Sequence, residues 1–266
     1  GATTFSPAGG VGDLVVGQAL GAQPGWSPCA VCALDLETGR TRWAVAGRVP
    51  AASDAVGTLA VTPTVVVSAL DDQRTLVVLD PRSGRVRARE DGRRPAPPTW
   101  VAVRASDRTV VTASGTDEAA AVDVEVHDVD GRVRWRARSL AAPLLEAATD
   151  TVLVRTAEEG WTARGGTDGQ VRWGLPAAEV AREASAFVAA ADARVVGVAA
   201  GFSTVREAST GELLLVRTLA AANPSAWSGQ VYVVADREAI RGYAARRPPV
   251  GLALGADTDR PVFLAE

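Results

Sequence analysis

Few residues in this chain of 266 are equipped for chemistry. It has one histidine, His127, and two cysteines, Cys29 and Cys32, in a C-x-x-C spacing. With one imidazole, neither a Ser-His-Asp hydrolase nor a zinc site built on several histidines is easily assembled. There is no G-x-S-x-G, no P-loop and no G-x-G-x-x-G after a strand. His127 falls at a strand position, so it is expected as a satisfied buried histidine rather than a ligand. The cysteine pair ends the long loop read over 17–32 and leads into a strand. It therefore lacks the helix N-terminus that usually depresses a redox thiol pKa. Its simplest role in an oxidising compartment is a short-range disulfide that clamps the loop. Free or partner-bonded thiols, and a redox or metal role, are the alternatives.

Carboxylates and tryptophans offer more material. Acidic pairs recur between apolar segments: Asp71 and Asp72, Asp117 and Glu118, Glu158 and Glu159, Asp236 and Glu238. Solvated loop tips are polar in any case. Read functionally, the pairs would attract a cationic ligand, a divalent cation or a basic partner protein. Trp26, Trp100 and Trp227 stand apart from the repeated motif described below, as does Trp161. Trp26, Trp100 and Trp227 are candidate anchors for a peptide or ligand, with core packing as the alternative.

What must position these residues is a repeat. Five segments align: ALDLETGRTRW (33–43), VLDPRSGRVRA (78–88), HDVDGRVRW (127–135), GGTDGQVRW (165–173) and REASTGELLL (206–215). Their glycines, Gly39, Gly84, Gly131, Gly169 and Gly211, are spaced by 45, 47, 38 and 42 residues. That is the length of one four-stranded propeller blade. T-G, S-G and D-G mark a tight hairpin turn. Trp43, Trp135 and Trp173 each lie four residues beyond their glycine, with Ala88 and Leu215 at the same place in two other copies. Such a tryptophan on an outer strand can pack between adjacent blades. Arg42, Arg87, Arg134 and Arg172 precede that position and are expected on the opposite face.

A Val-rich strand lies upstream of each motif, as in TVVVSAL (64–70) and TVVTAS (109–114), and a sixth copy, QVYVVAD (230–236), has lost its glycine turn. The expected fold is all-β, a single β-propeller of about six four-stranded blades over 1–266, with seven as an alternative count. The approximate blades are 1–48, 49–92, 93–139, 140–178, 179–219 and 220–266. The tail PVFLAE (261–266) is a candidate to close against the first blade. One short helical turn is expected in 176–186. The acidic pairs would then share one rim. Arg40, Arg82, Arg85 and Arg132 would lie on the other face. Trp100 and Trp227 would fall near the starts of innermost strands.

The pattern of a Val-rich strand, ALD-x-x-T-G-x-x-x-W and its variants resembles the PQQ-like repeat of quinoprotein-type propellers. The resemblance covers most of the chain. The family includes quinoprotein dehydrogenases, scaffold subunits of outer-membrane assembly and sensor domains of bacterial kinases. Its dehydrogenases are similar to one another in having eight blades, an adjacent Cys-Cys disulfide and a calcium site. Here the cysteines are separated by Ala30 and Val31, and Asn223 is the only asparagine. PQQ is therefore not expected as a cofactor, and none is assigned.

Composition narrows the remaining choices. A net charge of −3 gives no basic excess for nucleic acid. No run of about 18 apolar residues is present, so no membrane-spanning segment is expected. The absence of Lys and Met, with abundant Ala, Val, Arg and Gly, points to a high-GC, actinobacterial genome. A start at Gly1 suggests a processed secreted protein or an excised domain. The leading expectation is a non-catalytic extracytoplasmic binding or scaffold module with a protein or peptide partner. A ligand-sensing domain of a larger membrane protein, such as a receptor kinase, is one alternative. A metal-dependent hydrolase or lactonase of the six-bladed type is the other.

Overall fold

The computed structural model describes residues 3–21, 25–49, 58–70, 75–91, 99–115, 121–184, 186–199, 202–218, 223–228, 231–235, 240–244 and 263–265. Alternating and Val-rich segments form six four-stranded antiparallel sheets, each strand paired with the next in sequence. The first holds β1 (Thr3–Val11), β2 (Leu14–Gly21), β3 (Gly25–Asp35) and β4 (Thr41–Val49). The second holds β5 (Leu59–Val61), β6 (Val66–Leu70), β7 (Thr75–Leu79) and β8 (Val86–Asp91). The third holds β9 (Thr99–Ala105), β10 (Thr109–Gly115), β11 (Val122–Asp128) and β12 (Val133–Ser139). The fourth holds β13 (Leu144–Glu146), β14 (Thr151–Thr156), β15 (Gly160–Gly165) and β16 (Val171–Leu175). The short helix α1 (Ala177–Glu183) follows, within the expected 176–186. The fifth sheet holds β17 (Ala186–Ala191), β18 (Arg194–Ala199), β19 (Phe202–Glu207) and β20 (Leu213–Thr218). The sixth holds β21 (Asn223–Ser228), β22 (Val231–Ala235), β23 (Ile240–Ala244) and β24 (Phe263–Ala265).

The chain divides into two compact units. One is Gly1–Pro143 with the turn Gly166–Gly169; the other is Leu144–Gly165 with Gln170–Glu266. In the first unit the core shows why the second strands are runs of valine. Val66, Leu70, Val77 and Leu79 pack with Val16, Val31, Ala33 and Trp43 of the first sheet. Val65, Val67 and Val78 pack instead with Val103 and Val110 of the third. Successive side chains of a strand point to opposite faces, so a strand buried on both sides needs apolar residues at every position. Each fully buried valine contributes about 1.5–3 kcal/mol. The outer strands differ: β12 alternates between exposed and half-buried residues.

The first two glycine turns have one construction. Thr38 donates its N–H and its hydroxyl to Asp35 Oδ1, both at 2.8 Å, and Gly39 N donates to the Asp35 carbonyl at 2.8 Å. Ser83 and Gly84 repeat this on Asp80. The five glycines of the repeat have φ between 66° and 85°, where a side chain is strained.

The tryptophans dock on these turns. Trp43 Nε1 donates to the Pro81 carbonyl at 3.0 Å, Trp135 Nε1 to Gly166 at 3.1 Å and Trp173 Nε1 to Ala208 at 2.8 Å. Their rings lie where a Cβ would sit on Gly84, Gly169 and Gly211 respectively. Ala88, which replaces tryptophan in the second sheet, lies against Gly131 in the same way. In the second unit Phe187 meets Trp161 edge-on at 5.1 Å and Trp173 at 6.1 Å.

One expectation is corrected here. The segment 17–32 is not a long loop. β2 continues to Gly21 and β3 begins at Gly25, so most of it is hairpin. Its glycines and prolines look like breakers but have other roles. A Cβ on Gly17 would collide with the Ser6 carbonyl and the Phe5 ring. Pro28 falls where the β3–β4 register is already interrupted, between Ser27 and Val31, and no ladder bond is lost there. The tail strand Phe263–Ala265 pairs with β23 as the fourth strand of the sixth sheet.

Candidate functional site

The cysteine pair shapes the start of β3. Ser27 pairs with Gly47 and Val31 with Val45, so residues 28–30 bulge opposite a single residue of β4. The Cys29–Cys32 disulfide closes over this bulge with a Cα–Cα distance of 5.4 Å. Cys29 N donates to Ser27 Oγ at 3.1 Å, and Ser27 and Cys32 are buried. A bulge re-aims the strand that carries it. The strand end re-aimed here carries Trp26, opposite Arg48 and 71% exposed.

A second cluster lies between sheets two and three of the first unit. Glu125 and His127 alternate on one face of β11 and are only 6% and 2% exposed. Glu90 of β8 is exposed, and one ligand atom from each of the three lies within 4.8 Å of the others. His127 Nδ1 is 3.4 Å from the Gly131 carbonyl, an acceptor only, so the contact is a hydrogen bond in the tautomer that carries the proton on Nδ1. Nε2 is 3.3 Å from Thr112 Oγ1 and 3.7 Å from Glu125 Oε2. The other oxygen, Glu125 Oε1, accepts from Arg136 Nε at 2.6 Å. That hydrogen bond and the Glu125 charge, with a smaller pull from Glu90, raise the Arg136 pKa above its ordinary value. His127 is thus buried, with a polar contact at each ring nitrogen.

The turn arginines do not form a purely basic face. An open groove of about 490 Å³ is lined by Asp13 with Arg42 and Arg82. Another of about 660 Å³ is lined by Asp80 and Asp130 with Arg85, Arg87 and Arg132. Arg42 pairs with Asp13 and Asp35 at 3.3 and 3.1 Å, and Arg87 with Asp80 at 2.7 Å. The Arg87 guanidinium, then the Ser83 hydroxyl and N–H, hold the Asp80 carboxyl well below the usual carboxylate range. For Asp35 the Thr38 N–H and hydroxyl have the same effect.

Of the acidic pairs, Glu158 and Glu159 lie exposed in the β14–β15 turn, Glu159 3.4 Å from Arg164. Asp71, Asp72, Asp117, Glu118, Asp236 and Glu238 lie outside the described residues. Trp100 is the second residue of β9, paired with Ser114. Trp227 is the fifth residue of β21 and pairs with Tyr232, so it stands near the end of that strand and not its start. Trp161 is buried in β15. Glu90, Glu125 and Arg136 were not singled out in the sequence. The available signal was VDVEVHD (122–128), whose alternation sets Glu125 and His127 on one face. What the strand alone does not show is that β8 covers that face.

No family model matches the sequence, and neither does any curated protein. Solved structures do. BamB from Moraxella catarrhalis aligns with 96% of this chain and 73% of its own at 14% identity, with a TM-score of 0.50. The quinohemoprotein alcohol dehydrogenase ADHIIG from Pseudomonas putida HK5 aligns with 80% of this chain and 41% of its own at 14% identity, TM-score 0.51. The corresponding enzyme from Comamonas testosteroni covers 81% and 43% at 15% identity, TM-score 0.50. The chain therefore spans less than half the length of these dehydrogenases. The likeness shows the fold, a β-propeller built from four-stranded sheets. Among the described residues no helix is long and apolar enough to cross a membrane.

Proposed function

We infer that this propeller is a binding module that works through protein or peptide contacts, with Trp26 at the contact. The observation that carries the reading is an indole 71% exposed on a strand end braced by the Cys29–Cys32 disulfide. An exposed tryptophan is costly to keep in water. Tryptophans are enriched among the residues that dominate protein interfaces. A rigid mount lowers the ordering cost of binding. The disulfide also favours an extracytoplasmic location, since such bonds persist in oxidising compartments. The likeness to BamB agrees with a scaffold and supplies no partner.

The test is site-specific photocrosslinking in the host, with benzoylphenylalanine in place of Trp26 and, separately, of Leu36. Leu36 is also apolar and 60% exposed, but it follows the opposite end of β3. A discrete adduct from position 26 and none from position 36 is expected. No adduct at 26, or the same adducts from both positions, refutes the reading.

A further inference from the structure

The His127 cluster presents an arrangement that hydrogen bonding alone does not complete. With its proton on Nδ1, the imidazole turns an acceptor lone pair at Nε2 toward Glu125 Oε2, also an acceptor, at 3.7 Å. Two buried acceptors facing each other repel unless a positive centre lies between them. Among the described residues nothing supplies that centre well. The Thr112 hydroxyl has one proton, shared between Nε2 at 3.3 Å and the Glu125 carbonyl at 3.4 Å. Arg136 is engaged on the other carboxylate oxygen. A proton moved to Nε2 would be donated to Thr112 Oγ1 at 3.3 Å and would still leave Glu125 Oε2, at 3.7 Å, beyond hydrogen-bond range. The same distance is near the ligand-to-ligand edge of a zinc tetrahedron, about 3.3–3.5 Å for bonds of about 2.0–2.1 Å.

We propose that Glu90, Glu125 and His127 bind a divalent transition-metal ion, zinc by preference, that ties β8 of the second sheet to β11 of the third. One imidazole and two carboxylates suit zinc better than calcium or magnesium, which take all-oxygen sets. The surrounding groups match what metal ligands need. The Gly131 carbonyl holds the imidazole tautomer and Arg136 orients the Glu125 carboxylate, each by a hydrogen bond to the atom the ion does not use. Two carboxylates and one guanidinium leave one negative charge for the cation to offset. Glu90 is exposed, so the ion enters from its side and water completes the coordination. Binding only the folded state, the ion stabilises the contact between the two sheets.

The chain has a single histidine, so protein labelled with ¹⁵N-histidine reports one imidazole. EDTA-stripped protein is titrated with zinc chloride, following stoichiometry by calorimetry and the ring nitrogens by NMR. The expected result is one zinc per chain, a displaced Nε2 resonance, and an Nδ1 that stays protonated. Glu90→Gln, at an exposed position, should keep the fold and weaken binding by about 100-fold or more, because loss even of a group that only orients a ligand costs about 10–100-fold. Zinc should raise the unfolding temperature of the wild type and leave that of Glu90→Gln unchanged. No stoichiometric uptake, uptake that leaves the histidine spectrum unmoved, or equal affinity in Glu90→Gln each overturns the assignment.

Discussion

Gly39 and Gly84 hold the same place in consecutive hairpins, with φ of 66° and 68°, yet alanine should cost much more at the second. At Gly39 an added Cβ meets nothing within 4 Å. The substitution there pays only for a left-handed backbone, about 1–2 kcal/mol. At Gly84 the Cβ would stand 2.7 Å from Trp43 Cδ2. The ring cannot slide away freely, because it is 9% exposed and its Nε1 is bonded to Pro81 in the same turn. Overpacking adds about 1–3 kcal/mol. Loss of the hydrogen bond adds about 1 kcal/mol more. Gly84→Ala should therefore destabilise by about 3–6 kcal/mol in all. Trp43→Ala alone should cost about 3–5 kcal/mol. With the ring gone, Gly84→Ala should fall back to the cost seen at Gly39, a coupling of about 2–4 kcal/mol between the two sites. Urea unfolding followed by far-UV circular dichroism measures all four members of the cycle and Gly39→Ala beside them. Equal costs at Gly39 and Gly84, or no coupling with Trp43, would refute the docking argument.

Other outcomes follow from the same contacts. Closing a loop as short as Cys29–Cys32 is worth about 2 kcal/mol by chain entropy. The double variant Cys29→Ser/Cys32→Ser should lower the urea midpoint accordingly and reduce crosslinking from position 26. Asp80 titrates below its ordinary value when folded, so its contribution is fully present above about pH 4 and is lost as pH falls toward the folded value. Urea midpoints should thus favour wild type over Asp80→Asn at pH 7, with the gap narrowing on acidification. A gap that is constant with pH would mean that Arg87 does not act through the Asp80 charge. Trp173→Phe forfeits the bond to the Ala208 carbonyl, about 1 kcal/mol, while Trp161→Phe loses only volume, its Nε1 having no partner among the described residues. Matched thermal melts of the two variants compare these costs.

Much of the fold was legible because it is local and repeated. A turn such as Asp35–Gly39 is specified by residues that touch one another, and the same chemistry recurs at Asp80–Gly84. The tryptophan four residues on could be read as an inter-sheet contact because its period matches the blade. The stretch 17–32 reads as a loop because Pro24, Pro28 and several glycines are breakers in isolation. Only the β3–β4 register shows a bulge that accommodates Pro28 and a Phe5 ring that excludes a side chain at Gly17. The candidate sites were harder still. That Trp26 is exposed depends on what neighbours it in space, and all seven tryptophans are alike in sequence.

Sequence by itself therefore determined the repeat, the strand order within each sheet, the glycine turns and the scarcity of catalytic groups. All of these follow from short-range backbone and side-chain preferences. Tertiary structure decided what the polar residues face. Glu125 and His127 read as the polar side of an alternating strand and became a buried pair because β8 lies over them. Glu90 joined them from 35 residues away in sequence. Contacts of that kind arise from the stacking of sheets, and nothing local to any one strand encodes them.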